Sequence, residues 1–478
     1  MMRTTILKTT FLLALMPFLL FAQEIDLQNK ENRQPNILII LADDMGYGDL
    51  GCMGSEVIKS PNIDCLAENG IMFTSAYVTA SVCAPSRAGL LTGRFPHRFG
   101  FEDNLNHWNE DSPSQEKFHG LNPSELTIAD HLKKAGYQTA LIGKWHLGSA
   151  DVHHPNNRGF DYFCGMIGGG HNYFLDENKN HLERNGLPIT SFSNDYITDF
   201  FTDEALQWIE DKKDTTWFLF MSYNAPHTPM QAKEEDLKAF PHIKDKGRRT
   251  YAAMVQALDR GVGEIIQKLK DEGLYENTLI VFFSDNGGAT INHSWNGPLS
   301  GCKGNCREGG IRVPMIWQWP DQIPANKRNN AVVSSLDLLP SFLSAAGTLP
   351  IEAMDKSGNK EVPRTYDGIN ILPLIKGEQQ ASPRRLFWRL QGQAAILDGK
   401  DKLIRLSHKP AEYFRPIDDI GEGEDLSKKN SERYSELYEL LFNWEVTLPT
   451  NPHFSTSPYW KGESAKNYES WKPKPEIK

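Results

Sequence analysis

Pro35-Asn36-Ile37-Leu38-Ile39-Ile40-Leu41-Ala42-Asp43-Asp44 decides the fold class. Six apolar residues in a row leave no polar face for water, so the run reads as a strand buried on both sides. Such strands lie inside parallel sheets covered by helices. Asp43 and Asp44 close the run at its carboxyl end, the end at which α/β sheets bind ligands.

Outward from this strand the chain alternates. Ser60-Pro61 caps a helix that ends at Gly70. Leu126 to Ala135 has helical spacing and stops at Gly136, and Tyr137 to Ile142 is the next strand. Ile197, Phe200, Ala205, Trp208 and Ile209 mark an amphipathic helix before the strand Trp217 to Met221. A helix from about Tyr251 to Asp271 precedes the strand Thr278 to Phe283. The rhythm predicts an α/β domain over 23–375, a large, mainly parallel sheet sandwiched by helices. After Lys376 the strands shorten (Leu386–Leu390, Ala394–Leu397, Lys402–Arg405) and one helix follows near Ser431–Asn443. A smaller C-terminal α+β subdomain with an antiparallel sheet is therefore expected over 376–478. Polar stretches at 103–125 and 355–364 read as loops, and 472–475 as a frayed tail.

Arg3 and Lys8 precede an apolar run from Phe11 to Ala22, too short to span a bilayer but suited to a signal peptide over 1–22. The expectation is an exported protein, periplasmic or secreted, without a membrane anchor. The 478 residues carry a formal net charge of −10, which argues against a nucleic acid partner. It does not bar an anionic substrate, because repulsion is screened beyond about 8–10 Å. Six cysteines are too few for a disulfide scaffold. Pairs Cys302/Cys306 and Cys52/Cys65 remain open, with a free buried thiol the default for each.

Five further motifs carry chemistry beside Asp43-Asp44. Asp285-Asn286 follows the strand ending at Phe283. Either this doublet or Asp43-Asp44 alone reads as a turn. Together they offer three carboxylates and an amide, an all-oxygen set for Ca²⁺, with Mg²⁺ as the alternative. Ser81-Val82-Cys83-Ala84-Pro85-Ser86-Arg87 puts a cysteine at the start of a helix-forming segment, with Arg87 suited to an oxyanion. Gly143-Lys144-Trp145-His146 and Tyr223-Asn224-Ala225-Pro226-His227 each follow a strand. Cys302-Lys303-Gly304 leads into Glu308-Gly309-Gly310-Ile311-Arg312-Val313-Pro314, where Glu308 and Arg312 read as an internal ion pair.

Cys83-x-Pro85-Ser86-Arg87 followed by Ala88-Gly89-Leu90-Leu91-Thr92-Gly93-Arg94 resembles the signature of the type I sulfatases, whose fold is like that of alkaline phosphatase. The other motifs follow in that family's order between about Pro35 and Asn370. The resemblance implies that a maturase converts Cys83 to Cα-formylglycine, whose hydrate is the nucleophile. It places Asp43, Asp44, Cys83, Asp285 and Asn286 around Ca²⁺. It places Arg87, Lys144 and Lys303 on the sulfuryl oxygens and His227 or Lys303 beside the leaving alcohol. His146 becomes the base that deprotonates the second hydroxyl. His171, Arg158, His154 and His293 are candidate sugar contacts, as is Asp151. The expected substrate is a sulfated oligosaccharide or polysaccharide such as ulvan, carrageenan or a glycosaminoglycan. The rival readings are a phosphomonoester or phosphonate hydrolase on the same fold and a non-catalytic sulfated-glycan binding protein.

Overall fold

The computed structural model describes residues 34–105, 120–176, 181–320, 322–350, 365–407, 409–449 and 476. The expected signal peptide, most of the 103–125 loop, the 355–364 connection and the 472–475 tail lie outside them. No described helix is long and apolar enough to cross a membrane.

One sheet of ten strands organises the molecule. In chain order they are β1 (Asn36–Ala42), β2 (Ile71–Tyr77), β3 (Gln138–Lys144), β4 (Tyr162–Met166), β5 (Leu182–Arg184), β6 (Leu187–Pro188), β7 (Trp217–Ser222), β8 (Thr278–Ser284), β9 (Arg312–Gln318) and β10 (Lys327–Ser334). Their spatial order is β10-β2-β9-β8-β1-β7-β3-β4-β5-β6. β9 runs antiparallel to both its neighbours, and β5 and β6 close the other edge antiparallel. The centre, β8-β1-β7-β3-β4, is wholly parallel.

Strand periodicity explains the sandwich. Leu38, Ile40 and Ala42 of β1 pack into one core with helices Pro61–Glu68, Ile197–Lys212 and Lys246–Asp271. Ile37, Ile39 and Leu41 point the other way, into a second core with helices Cys83–Thr92, Ile128–Lys134 and Leu338–Ala345. Burying one such aliphatic side chain contributes about 1.5–3 kcal/mol. A polar residue anywhere in Ile37–Leu41 would therefore weaken one core or the other.

Four shorter strands, β11 (Arg385–Leu390), β12 (Gln393–Asp398), β13 (Asp401–Leu406) and β14 (Glu412–Phe414), form the expected antiparallel sheet. Leu386, Trp388, Ala395, Leu397, Ile404 and Leu406 pack against Tyr77, Phe95, Ile311 and Leu336 of the large body. The opposite face, with Ala394, Ile396 and Leu403, takes Leu437, Leu441 and Trp444 of the helix Ser431–Glu445.

Some local readings change. Ser60 does not cap its helix; its hydroxyl donates to Asp64 (3.0 Å) and accepts from Gly51 N–H (2.9 Å). The long helix starts at Lys246, because Asp245 caps Arg248 N–H (2.7 Å). None of the six cysteines forms a disulfide among the described residues, and Cys65 is exposed rather than buried. Glu308 and Arg312 do pair, at 3.2 Å.

His97 joins the two parts, with Nε2 against the Arg389 backbone and its ring edge on Trp444. Burial pushes it down to about 4. In the unfolded chain it returns to about 6.5. Acid therefore favours the unfolded chain from about pH 6.5 downwards, and the effect levels off near pH 4. The drop corresponds to ~3 kcal/mol at its full extent. The stability advantage of wild type over His97→Gln should narrow between pH 7 and 4.5 in thermal melts. A constant gap would show that His97 titrates normally.

Candidate active site

Strand register places the site. Ala42 lies opposite Ser284, Leu41 opposite Ser222, and Ser222 opposite Gly143. The residues that follow these positions in β1, β8, β7 and β3 therefore leave the sheet at one level. They are Asp43-Asp44, Asp285-Asn286, Tyr223 to His227, and Lys144 to His146. Asp44 N–H donates to Asp285 Oδ1 (3.2 Å), and Asn286 Nδ2 donates to Asp44 Oδ1 (2.7 Å).

The helix Cys83–Thr92 enters this edge amino end first, with all ten residues buried. Cys83 and Arg87 are four residues apart and share one face. Cys83 Sγ lies 3.6 Å from Asp43 Oδ1 and 3.7 Å from Asp44 Oδ1. Asn104 supplies the capping that Val82 cannot, its Oδ1 accepting from Ala84 N–H (2.9 Å).

Cations match the carboxylates one for one. Lys144 Nζ sits 2.6 Å from Asp43, and Lys303 Nζ 2.8 Å from Asp44 and 3.1 Å from Cys83 Sγ. Arg87 Nε and NH2 are each 2.9 Å from Asp285. Arg87 NH1 donates to Ser222 Oγ (2.7 Å) and the Lys144 carbonyl (3.1 Å). Arg87 is thus turned inward. Its Nε and NH1 brace Asp285, Ser222 and the Lys144 carbonyl, while NH2, 2.9 Å from Asp285 and 3.8 Å from Asp43, makes no well-aligned hydrogen bond among the described residues.

Backbone geometry at two corners is unusual. Asp44 and His146 both have left-handed φ, near +64° and +61°. Such conformations cost energy and collect at working sites. Gly143 has φ +114°, and a Cβ there would meet Ser222 O at 1.9 Å, so the turn into Lys144 requires glycine.

Burial dominates the protonation of the site. It pushes the Cys83 thiol up beyond its usual range despite Lys144 and Lys303. It pushes His227 down to about 3 although Asp44 opposes, and holds His146 well below its ordinary value with help from Lys144 and Arg87. Both histidines are neutral near pH 7. His227 Nδ1 faces the Thr228 carbonyl at 2.7 Å. A carbonyl only accepts, so Nδ1 carries the proton and Nε2 is bare. The 3.6 Å approach of His227 Nε2 to Asp44 is then not an ion pair. Burial and the nearby Asp43 carboxylate push Asp285 up to about 6 against Arg87. Burial acts on Asp44 in the same sense, but Lys303, with Lys144, holds it well below the carboxylate range.

A hard cation fits these residues. Ligand atoms of Asp43, Asp44, Cys83 and His227 lie within 4.8 Å of one another. Asn286 Oδ1 is buried yet accepts no hydrogen bond among the described residues. An orphaned amide oxygen beside three carboxylates is the donor set that Ca²⁺ or Mg²⁺ takes. His227 stands in this cluster although the sequence placed it only at the leaving group.

The structure does not bring all five sugar-contact candidates to the site. Arg158 is 2% exposed and donates to the carbonyls of Leu121 (2.7 Å), Asn122 (3.4 Å) and Glu125 (2.5 Å), so it braces a loop. His154 pairs with Glu183 at 2.5 Å and lies edge-on to Phe163. Asp151 is held by Asn157. His293 sits 3.4 Å from Asp245. His171 remains close: it continues the Gly168-Gly169-Gly170 loop, whose backbone packs on His146 and His227.

A family profile described as Sulfatase matches residues 35–348. The chain belongs to the sulfatase family. It is 33% identical over 393 residues to N-acetylgalactosamine-6-sulfatase of Canis lupus familiaris, covering 77% of this chain and 71% of that one. To arylsulfatase G of the same species it is 31% identical over 461 residues, covering 86% and 80%. Among solved structures, Ps i-CgsB in complex with k-i-k-neocarrahexaose is 36% identical with a TM-score of 0.79, covering 91% of this chain and 97% of that chain. The protein is a sulfatase, and its mixed sheet with a small second sheet is the sulfatase fold.

Proposed function

We propose that this sulfatase removes sulfate from a sulfated carbohydrate of the carrageenan or glycosaminoglycan kind, with Cys83 matured to formylglycine and Ca²⁺ as the resident ion. The observation that carries this reading is the convergence of Asp43, Asp44, Cys83, Lys144, His227, Asn286 and Lys303 at one sheet edge. The carbohydrate class is supported by the relatives, one named for N-acetylgalactosamine and one holding a neocarrahexaose. Export to the periplasm or medium is supported by the Arg3/Lys8 and Phe11–Ala22 pattern.

Asp43, Asp44, Asp285 and Asn286 would hold the ion, which when bound supplies positive charge to the sulfuryl oxygens. The matured Cys83 would supply a hydroxyl nucleophile that returns to an aldehyde once sulfate leaves. The protein's own groups prepare the site. Lys144 and Lys303 are fixed by Asp43 and Asp44, so their charge is oriented before substrate arrives. Arg87 locks Asp285 and the end of β7. His146 and His227 are kept neutral by burial, so neither carries charge into the site before substrate arrives.

Sulfate release from defined carrageenan and chondroitin oligosaccharides tests the assignment, with an aryl phosphate and a phosphonate monoester run beside them. Higher kcat/KM on phosphorus esters, or binding without sulfate release by matured protein, would overturn it. The ion has its own test. Chelation should lower Tm, and Ca²⁺ at 100 times its Kd should restore about 2.7 kcal/mol of stability. Asn286→Ala should lose most of that rise. An unchanged Ca²⁺ response would exclude Asn286 from the donor set.

A further inference from the structure

We propose that Gln393, on the first position of β12 in the C-terminal sheet, is a positioning residue for Lys303. The inference rests on the role given to Lys303 above and extends it to a residue 90 positions away.

Lys303 rides on a loop, not on a helix or strand. Its Nζ must still meet Asp44 and the Cys83 side chain at 2.8 and 3.1 Å. The large body holds this loop by two backbone bonds, Lys303 N–H to Gly288 O (3.1 Å) and Gly304 N–H to Ser81 O (2.8 Å). Gly304 then turns with φ +89°, which leaves its carbonyl facing away from those supports.

Gln393 takes up the far side. Its Nε2 donates to Gly304 O (3.1 Å), and its Oε1 accepts from Cys306 N–H (3.1 Å). One carboxamide therefore splints the peptide groups on either side of Asn305. Gln393 is 5% exposed and Cys306 fully buried, so water cannot readily replace the splint. The splint is itself rigid: the Gln393 backbone pairs with Leu390 of β11 and Leu406 of β13.

The ends of the loop are held by the same subdomain. Glu422 accepts from Ser300 Oγ (2.6 Å) and from Glu308 N–H (3.0 Å). Glu422 is charged and shared with Lys402 (2.8 Å), so replacing it disturbs a buried ion network. Gln393 is neutral, and its loss leaves no buried charge. It is the cleaner probe of whether the small sheet sets the place of the lysine.

A double-mutant cycle with 4-nitrocatechol sulfate as probe tests this. Gln393→Met keeps the volume and removes both hydrogen bonds. It should lower kcat roughly tenfold with KM within about twofold, and should cost nothing further in a Lys303→Ala background. Equal losses in both backgrounds would make Gln393 merely structural. A wild-type rate for Gln393→Met beside a crippled Lys303→Ala would overturn the splint alone. A wild-type rate for Lys303→Ala would instead overturn the role of the lysine. Should the methionine variant not fold, Gln393→Glu keeps the acceptor but not the donor and enters the same cycle. A crystal structure of either variant gives an answer independent of turnover. Lys303 Nζ displaced from Asp44 is the expected result, and an unmoved lysine contradicts the proposal.

Discussion

Cys83→Ala protein will fold and will release no measurable sulfate. The loss should exceed roughly 10⁴-fold, as when a covalent nucleophile is removed from a site whose other groups remain. Stability should hardly change. The substitution removes one sulfur atom from a buried helix, and alanine favours that helix, so the net cost is about 1 kcal/mol. For a chain of this size that is a shift in Tm of about 1 °C. Ion chromatography for sulfate and a thermal melt, on one preparation, separate the two effects. Retained turnover would remove Cys83 from the chemistry. A collapsed melt would mean that the side chain is structural.

Lys402→Met will show the reverse, a large loss of stability away from the reacting groups. Lys402 is fully buried on β13 and pairs with Glu308 (2.7 Å) and Glu422 (2.8 Å), neither more than 1% exposed. Glu308 also takes Arg312 and the Tyr77 hydroxyl. Burial alone would raise Glu308, but Lys402 and Arg312 outweigh it and hold it below the usual carboxylate range. Removing the lysine leaves Glu422 without its near cation in a dry interior and takes one of two cations from Glu308, and breaking such a buried pair typically costs about 3–5 kcal/mol. The expected result is a marked fall in Tm. The double variant Lys402→Met, Glu422→Gln should recover much of it, because Glu308 keeps Arg312 and Arg307 keeps Glu412. A Lys402→Met melt matching wild type would mean that water reaches the network.

The sequence made the centre of the sheet readable and its flank unreadable, for physical reasons. β1, β7 and β8 are runs of apolar residues bounded by turn chemistry, and β3 has the same pattern. β10 opens Lys327-Arg328-Asn329-Asn330 and is buried only in its second half, so no period emerges. β9 contains Pro314, which argues against an inner strand. It is accommodated where the β2–β9 register shifts, between Phe73 and Ala76. The site was legible wherever a motif directly follows a strand, as with Asp43, Lys144 and Asp285. The bracing contacts of Arg87 were not, because its partners Asp285 and Ser222 are 198 and 135 residues away. Gln393, Lys402 and Glu422 carried no signal, since their contacts with the 304–308 region span 89 to 114 residues. Arg158 illustrates the opposite error: an arginine in a polar loop resembled a sugar contact until its carbonyl partners were visible.

The burial of the entire Cys83–Thr92 segment has a consequence for biosynthesis. A sulfur on a residue only 1% exposed, in a helix whose ten residues are all buried, cannot enter the catalytic cleft of a second enzyme. Any enzymatic conversion of that side chain must come while the polypeptide is still extended. On the proposed reading, in which Cys83 is matured, covalent editing comes first and collapse of the sheet afterwards, and chains that fold unedited are expected to release no sulfate.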